Sequence, residues 1–289
     1  MPLVRKLAVF GVGLIGGSFA LALKQSGDVG RVVGVGRGRA NLEHALARGV
    51  IDEIGTSDAA ALAGADLVLL AMPVGQMGAV MARIAPFLAP GAVVTDAGST
   101  KQDVIALART HLAGHLATFV PAHPIAGAEK SGAEAARVDL FRDRHLLLTP
   151  LAGGDVAAVA LVREAWQRCG MRVSEMPADV HDRTLAAVSH LPHLLSFALV
   201  HELAGRADAE RLFGLAAGGF RDFTRIAGSS PEMWRDICLS NREALLAEVA
   251  AYRAALDRFA AMVDRGDGDG LEQAFADARA ARARWLQIR

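Results

Sequence analysis

Glycines near the start of the chain have the spacing of a loop that binds the phosphates of a dinucleotide. The segment LAVFGVGLIGGS carries the pattern G-x-G-x-x-G at Gly11, Gly13 and Gly16, directly after an apolar run and before a helical pattern. The first glycine permits a tight turn, the second lets the backbone approach a pyrophosphate, and the third lets helix and strand pack closely. N–H groups at the start of the helix, including those of Leu14 and Ile15, favour an anion.

The end of the second predicted strand bears on the choice of cofactor. An acidic residue about 20 residues after the glycines would bond the ribose 2′-hydroxyl of NAD, but the sequence here reads VGVGRGR, without a carboxylate. Gly36 leaves room, and Arg37 and Arg39 are suited to pair with the 2′-phosphate of NADP. The alternative is that both arginines are solvated loop residues. The pattern favours NADP without excluding NAD.

Three further predicted strands end in residues that could contact cofactor or substrate. Met72 and Pro73 follow one strand, Ser99 follows the next, and His123 follows the one after that. Because open parallel sheets bind ligands beyond the C-terminal ends of their strands, we expect these residues near the nicotinamide. Ser99 can also be interpreted as the N-cap of a helix that starts at Lys101. His123 can be interpreted as a structural histidine between two prolines.

The second half of the sequence adds two histidines and an arginine. His190 and His193 are three residues apart and therefore share one face of a predicted helix. A zinc site needs further ligands at suitable spacing and none is nearby, so we expect no metal. Arg225 ends the glycine-rich segment 218–225, and a half-buried arginine there needs a carboxylate partner from the protein or a ligand. These residues predict a dehydrogenase that acts on an anionic substrate.

The elements that must position these residues follow from hydrophobic periodicity. Short apolar runs alternate with helical patterns in the first half, which is typical of a parallel sheet covered by helices. Predicted strands cover residues 6–10, 31–35, 66–71, 92–95, 118–121, 145–149 and 171–176, and predicted helices cover 14–25, 41–48, 75–87, 101–112 and 156–169. Long helices then follow at 179–204, 209–215, 231–264 and 270–289. Segment 218–225 is too irregular and charged to be predicted as a plain helix.

These patterns predict an α/β protein. Residues 1–176 form a Rossmann-type doubly wound parallel sheet that binds the dinucleotide, and residues 177–289 form an all-helical domain.

The composition limits the class of partner. Of the 289 residues 52% are hydrophobic, and 31 basic residues balance 31 acidic ones. A chain without net charge lacks the one-signed field that concentrates a protein on nucleic acid or a membrane surface. Cys169 and Cys238 are far apart and match no metal or redox spacing. No uninterrupted apolar stretch approaches the roughly 18 residues of a membrane span, and we expect a cytoplasmic protein.

The same residues carry a resemblance to a known family. The motifs GVGLIGGS, DAGSTK, HPIAGAEKSG, SHLPH and GGFRDFTRIA occur in this order from the first strand to about residue 236. Together they resemble the prephenate dehydrogenases of tyrosine biosynthesis, which include arogenate and broad-specificity cyclohexadienyl dehydrogenases.

The resemblance implies a reaction and roles for particular residues. The reaction is oxidative decarboxylation of prephenate to 4-hydroxyphenylpyruvate, or of arogenate to tyrosine, with hydride transfer to NAD or NADP. His123 would take the proton of the ring hydroxyl, Ser99 would orient that hydroxyl, and Arg225 would hold a substrate carboxylate. His193 would lie near the substrate side chain. Orienting or gating roles fall to His190, Glu129 and Asp222.

The resemblance also implies a homodimer formed through the helical domain. We expect neither a chorismate mutase domain before the glycine motif nor a regulatory domain after the last helix. The sequence leaves open whether prephenate or arogenate is preferred.

Two competing interpretations remain open. Other hydroxyacid dehydrogenases that pair a Rossmann unit with a helical domain use a lysine from the first helix of that second domain, but residues 179–204 contain none. A non-catalytic redox sensor that binds NAD or NADP would need the glycine loop but not Ser99, His123 and Arg225 together.

Overall fold

The structure, a computed structural model, describes residues 1–128 and 130–287. The chain forms two compact units, Met1–Arg242 and Glu243–Arg289. The boundary predicted between residues 176 and 177 stays a prediction.

The first part of the larger unit is a parallel sheet of six strands. Strands and helices alternate along the chain: β1 (Val4–Phe10), α1 (Leu14–Gln25), β2 (Val29–Val35), α2 (Arg39–Ala47), β3 (Glu53–Ile54), α3 (Asp58–Leu62), β4 (Leu67–Leu70), α4 (Val74–Ile84), β5 (Val93–Asp96), α5 (Gln102–His111) and β6 (Phe119–Val120). The strand order is β3-β2-β1-β4-β5-β6, and every neighbouring pair is parallel. Helices cover both faces, so β4 is an unbroken buried run. The predicted doubly wound α/β fold is confirmed. The two-residue strand β3 and the short helix α3 were not predicted, since elements this short show little periodicity.

A second sheet was not predicted. It consists of β7 (Ala122–Pro124), β8 (His145–Leu148) and, after helix α6 (Val156–Arg168), β9 (Arg172–Glu175). Strands β7 and β8 are antiparallel, whereas β8 and β9 are parallel. The expectation that these residues extend the parallel sheet was wrong. Pro121 has no N–H to donate to a strand ladder, and it separates β6 from β7.

Helices follow from residue 178 onward. In the larger unit these are α7 (Ala178–Leu185), a π-helical turn (Ala186–His190), α8 (Leu191–Ala204), α9 (Ala209–Gly214), α10 (Gly218–Thr224) and α11 (Pro231–Ser240). The predicted helix 179–204 is thus continuous but contains a π turn. Pro192 cannot donate a backbone hydrogen bond to the preceding turn, and the wider turn immediately before α8 accommodates this loss.

Two predictions about the later helices were wrong. Segment 218–225 is mostly helix α10, where the Thr224 hydroxyl donates to the Phe220 carbonyl oxygen at 2.7 Å. The Ser196 hydroxyl of α8 donates to the Phe223 carbonyl oxygen at 3.1 Å, so tertiary contacts support a helix that its glycines disfavour. The predicted single helix 231–264 is interrupted at Asn241, whose backbone leaves the helical conformation.

One helix, spanning residues 178–204, is long and apolar enough to cross a membrane by length and composition alone. Three of its polar residues, His181, Asp182 and His190, are buried and hydrogen-bonded within the unit Met1–Arg242. These hydrogen bonds attach one face of the helix to the rest of this unit, and 28% of its apolar window is buried.

The smaller unit is formed by two helices, α12 (Arg242–Asp264) and α13 (Gly268–Gln287). The rings of Phe259 and Phe275 stack with centroids 5.8 Å apart, which ties the helices together. Several apolar side chains on these helices are exposed, among them Leu246, Leu256 and Val263. Of the predicted last helix, Ile288 and Arg289 lie outside the described residues.

A buried ion pair joins the two sheets where their strands end. The Lys101 ammonium group donates to the Asp96 carboxylate of β5 and, at 2.8 Å, to the Ala122 carbonyl oxygen of β7. Asp96 also accepts the backbone N–H groups of Ala122 (3.1 Å) and Gly98 (2.7 Å). Both charged side chains have no exposed surface. Because a buried charge needs its partner, this pair fixes the ends of β5 and β7 relative to each other.

Replacing Lys101 by Met should therefore lower the free energy of unfolding by about 3–5 kcal/mol, since the Asp96 carboxylate would stay buried without a cation. Urea unfolding at pH 7 measures the loss. Arg206→Ala, which removes the exposed pair between Arg206 and Glu202, should leave the unfolding midpoint nearly unchanged. An equally small effect of both changes would contradict the importance of the buried pair.

Candidate active site

The glycine loop has the shape of a phosphate cradle. Gly11 has a φ of +97°, and a Cβ atom there would lie 2.5 Å from the Ala71 carbonyl oxygen and 3.0 Å from the Met72 backbone nitrogen. A Cβ atom on Gly16 would overlap the Gly11 carbonyl oxygen, whereas one on Gly13 would meet open space. The loop thus needs glycine for its turn and its packing and leaves the backbone at Gly13 accessible.

Helix α1 begins immediately after this open backbone. Gly13 is its extended N-cap residue, and its first turn contains no acidic residue. The N–H groups at the start of the helix, including those of Leu14 and Ile15, are therefore suited to a pyrophosphate. Met72 and Pro73 follow the neighbouring strand β4, and Pro73 precedes α4. The residues present fit a dinucleotide.

The loop after β2 carries the arginines predicted to select the cofactor. The Arg37 guanidinium lies 3.4 Å from the Glu232 carboxylate of α11, which also accepts a 2.9 Å hydrogen bond from Gln76. The hydrogen bond and charge of Arg37 hold the pKa of Glu232 below its usual value. Arg39 pairs with Glu43 within α2. Gly36, Arg37 and Arg39 are all exposed, so both arginines are accessible to a ligand.

His123 lies at the end of the adjoining sheet, in β7. Its side chain is mostly buried, with 9% of the residue exposed. Its Nδ1 atom lies 2.9 Å from Nε2 of His181, and Nδ1 of His181 lies 2.8 Å from Oδ1 of Asp182. His123 is therefore the outer end of a chain of three polar side chains.

The carboxylate of Asp182 holds the start of helix α5. Its two oxygens accept the backbone N–H groups of Lys101 at 2.8 Å and Gln102 at 2.9 Å. Lys101 is the N-cap residue of this helix, so the alternative that Ser99 caps it was wrong. A side chain from a distant helix supplies the cap, and half-buried Ser99 lies in the loop between β5 and α5.

The electrostatic environment keeps His123 neutral. Burial is the main cause that lowers the pKa of its imidazole well below the usual value, and the positive charge of Lys101 lowers it further. Burial likewise lowers the pKa of His181, although its hydrogen bond to Asp182 opposes this. A neutral imidazole at neutral pH can accept a proton from a bound substrate.

His190 and His193 pack against one tryptophan. The His193 ring stacks on Trp234 with a centroid distance of 3.6 Å, and the His190 ring meets the same tryptophan edge-on at 6.1 Å. His193 is half-buried, whereas His190 is 1% exposed and has Nδ1 3.1 Å from the Asn241 side-chain amide. The Asn241 amide also donates to the Asp182 carbonyl oxygen at 2.7 Å. The break between α11 and α12 therefore places Asn241 in the site.

The remaining predicted residues lie beyond His193. Arg225 begins the 3-10 turn after α10, and its positive charge contributes to the lowered pKa of His193, for which burial is the main cause. Asp222 is exposed on α10. Glu129 lies outside the described residues. Arg225 is thus near enough to His193 for its charge to act on that ring.

Sequence reasoning missed the buried polar residues behind His123. They are His181, Asp182, Lys101, Asp96 and Asn241. A signal for two of them was present, because His181 and Asp182 precede buried Leu185 and Ala186 by four residues and therefore share the apolar stripe of their helix. Polar residues on such a stripe are candidates for a buried network.

Within residues 1–128 and 130–287, no group of three or more His, Cys, Asp or Glu side chains could hold a metal ion.

A doubly wound sheet with a glycine phosphate loop and a neutral histidine at a neighbouring strand end defines an NAD- or NADP-dependent dehydrogenase. A family model described as prephenate dehydrogenase, nucleotide-binding domain, matches residues 19–175, and one described as prephenate dehydrogenase, dimerization domain, matches residues 177–277. The chain belongs to the prephenate dehydrogenase family.

Individual relatives agree with this assignment. The chain is 36% identical to the cyclohexadienyl dehydrogenase of Zymomonas mobilis over 98% of this chain and 96% of the relative. The crystal structure of prephenate dehydrogenase from A. aeolicus, in complex with hydroxyphenyl propionate and NAD+, superposes with a TM-score of 0.91 at 34% identity, covering 99% of this chain and 98% of that one. The arogenate dehydrogenase of Synechocystis superposes with a TM-score of 0.80 at 30% identity, covering 97% and 100%.

The buried histidine His190 should make stability depend on pH. Burial lowers its pKa from 6.5 to about 4. Between these values the unfolded chain binds more protons than the folded one, so the free energy of unfolding falls as the pH drops from 7 to 4. The contribution of His190 to this loss is about 3 kcal/mol.

Urea unfolding at pH 7 and pH 4.5 tests this dependence. His190→Asn removes the titrating ring but keeps an oxygen for Asn241, and it should lose less stability between the two pH values than the wild type. His44→Asn changes an exposed histidine and should follow the wild type. If His190→Asn lost as much stability as the wild type between the two pH values, the prediction would be contradicted.

Proposed function

We propose that this chain catalyses the oxidative decarboxylation of prephenate or arogenate in tyrosine biosynthesis. The observation that carries the proposal is His123, a neutral buried imidazole in β7, the strand whose first residue is hydrogen-bonded to the end of β5. Family membership and 36% identity to a cyclohexadienyl dehydrogenase over nearly the whole chain support the choice of substrate.

The chemistry requires one base and one anion-binding group. The bound dinucleotide supplies the acceptor of the hydride that leaves the ring carbon bearing the hydroxyl. His123 takes the proton of that hydroxyl, and such a general base contributes about 10²–10⁴ in rate. The bond to the ring carboxylate breaks, CO₂ leaves, and the electron pair enters the ring, which becomes aromatic. His123 then returns the proton to the ring oxygen to give the phenol. Ser99, which lies in the loop that follows β5, orients the substrate hydroxyl.

The substrate is an anion, and the helical residues supply its partners. Arg225 binds a carboxylate with a guanidinium fork, a geometry that lysine does not offer. His193, held flat against Trp234, borders the substrate side chain. His190 is too deeply buried for direct contact and orients Trp234 and Asn241 instead. Asp222, exposed on α10, takes a gating role, and the family resemblance suggests the same role for Glu129, which lies outside the described residues.

For the cofactor, the proposal is that Gly11, Gly13 and Gly16 bind the pyrophosphate of either dinucleotide and that the β2 loop accepts NADP. Support comes from the sequence VGVGRGR, which has no carboxylate for the 2′-hydroxyl, and from the exposure of Arg37 and Arg39. Each pairs with a surface carboxylate that a 2′-phosphate could replace.

The proposal includes a cytoplasmic homodimer formed through the helical residues. A dimerization-domain model matches residues 177–277, and exposed apolar side chains on α12 and α13, such as Leu246 and Leu256, suit an interface between copies.

The reaction is tested by reduced-nicotinamide formation with prephenate and arogenate, each paired with NAD and NADP. Turnover is expected in at least one mixture. His123→Ala should keep dinucleotide binding, measured by fluorescence titration, and lose about 10²–10⁴ in kcat. Absence of turnover in all four mixtures, from wild-type protein that still binds dinucleotide, would favour a non-catalytic sensor. Full turnover in His123→Ala would show that His123 is not the general base.

The cofactor proposal is tested by Arg37→Ala. Because a charge-assisted bond to the 2′-phosphate would be lost, kcat/KM with NADP should fall about tenfold or more, while kcat/KM with NAD stays within about twofold. Arg31→Ala, which changes an exposed arginine within strand β2 itself, is the matched control. Equal losses with both dinucleotides would contradict recognition of the 2′-phosphate.

A further inference from the structure

We propose that His181 and Asp182 form a relay that sets the tautomer of His123 and shares the positive charge that His123 acquires. The inference rests on the proposed function in one respect, namely that His123 is the base. His181 and Asp182 contact neither cofactor loop nor substrate in this scheme, and both are positioning residues.

The hydrogen bonds determine where each proton lies. Asp182 accepts two backbone N–H groups, from Lys101 and Gln102, and an ionised carboxylate can only accept. His181 must therefore donate from Nδ1 to Oδ1 of Asp182, over 2.8 Å. In a neutral ring the other nitrogen, Nε2, is then an acceptor. It lies 2.9 Å from Nδ1 of His123, which must donate to it.

The consequence concerns Nε2 of His123, the ring nitrogen that does not face His181. With its proton on Nδ1, the neutral ring carries its lone pair on Nε2. That lone pair is what a general base needs, and Nδ1 is occupied by His181. The relay thus selects the catalytically competent tautomer before substrate binds.

Asp182 is a suitable anchor for the relay because its charge is stabilised from three directions. Burial alone would raise its pKa, but the His181 ring and the backbone N–H groups of Gln102 and Lys101 outweigh burial and hold the pKa below its usual value. It also lies at the N-terminus of the ten-residue helix α5, where the helix dipole favours an anion.

The other charged groups around His123 do not replace this function. Lys101, from the start of α5, opposes a positive charge on His123, but it is neutralised by Asp96 of β5 at the same place. His190, from the π turn, also disfavours protonation of His123. Asp182 therefore supplies the negative charge that compensates a protonated His123, and His181 transmits it through two hydrogen bonds.

A merely structural role would be equally consistent with burial of the pair, so the test needs two variants of His181. His181→Phe keeps a ring of similar size and removes both hydrogen bonds. His181→Gln keeps both, because its amide N–H can donate to Asp182 while its oxygen accepts from His123. Leu185→Ala removes a buried apolar side chain of the same helix α7 and serves as the control for lost packing.

The first measurement is the tautomer itself, by long-range ¹H–¹⁵N NMR of protein labelled with ¹⁵N-histidine, with His123→Ala to assign the signals. In the wild type His123 should carry its proton on Nδ1 at pH 8, and His181→Phe should give a mixture of tautomers. A wild-type proton on Nε2 of His123 would overturn the proposal. This measurement is independent of turnover, so it still tests the relay if neither prephenate nor arogenate is a substrate.

The second measurement is kinetic. His181→Phe should lower kcat at least tenfold with KM for the substrate within about twofold, because a group that acts on the base affects the chemical step. In the pH profile of kcat for His181→Phe, the acidic limb should move to lower pH, because a hydrogen bond that stabilises protonated His123 has been lost. His181→Gln should recover part of kcat, and Leu185→Ala should keep the wild-type pH profile. Loss of activity in all three variants in proportion to their unfolding midpoints would overturn the relay.

Discussion

The carboxylate of Asp182 connects parts of the chain that are far apart in sequence. It accepts the backbone N–H groups that begin helix α5, 80 and 81 residues earlier, and it bonds the ring of its neighbour His181, which reaches His123. One anion therefore caps a helix of the dinucleotide-binding sheet, attaches helix α7 to that sheet and orients the candidate base. A polar group this deeply buried is tolerated because every one of these donors points at it.

The strand ends contain two kinds of buried polar group, an ion pair and a neutral histidine. Lys101 and Asp96 form an ion pair with no exposed surface, and this pair joins β5 to β7. His123 stays neutral because burial and nearby positive charges make protonation costly. A buried ion pair holds the backbone in place, and a neutral imidazole has a nitrogen that can accept a proton. Burial thus serves structure in the ion pair and reactivity in the histidine.

The dinucleotide loop and the substrate side of the site were unequally accessible to sequence reasoning. Gly11, Gly13 and Gly16 work through the backbone, and their spacing alone implies the turn that the structure contains. His190 and His193 were correctly placed on one helix, but their different burial depends on Trp234 and Asn241, which come from a separate helix and the break after it. The helical conformation of residues 218–224 likewise depends on contacts with α8 that no local pattern reports.

The amino-acid sequence by itself determined the doubly wound sheet, the phosphate loop, the candidate base His123 and the family, because periodicity, glycine spacing and short motifs are local properties of the chain. The tertiary structure decided which residues stand behind that base. Hydrogen bonds between His123, His181 and Asp182 join positions up to 59 residues apart, and a buried histidine has the same local sequence signature whether it packs or relays a proton. Only the distances between these side chains, 2.9 Å and 2.8 Å, distinguish the two.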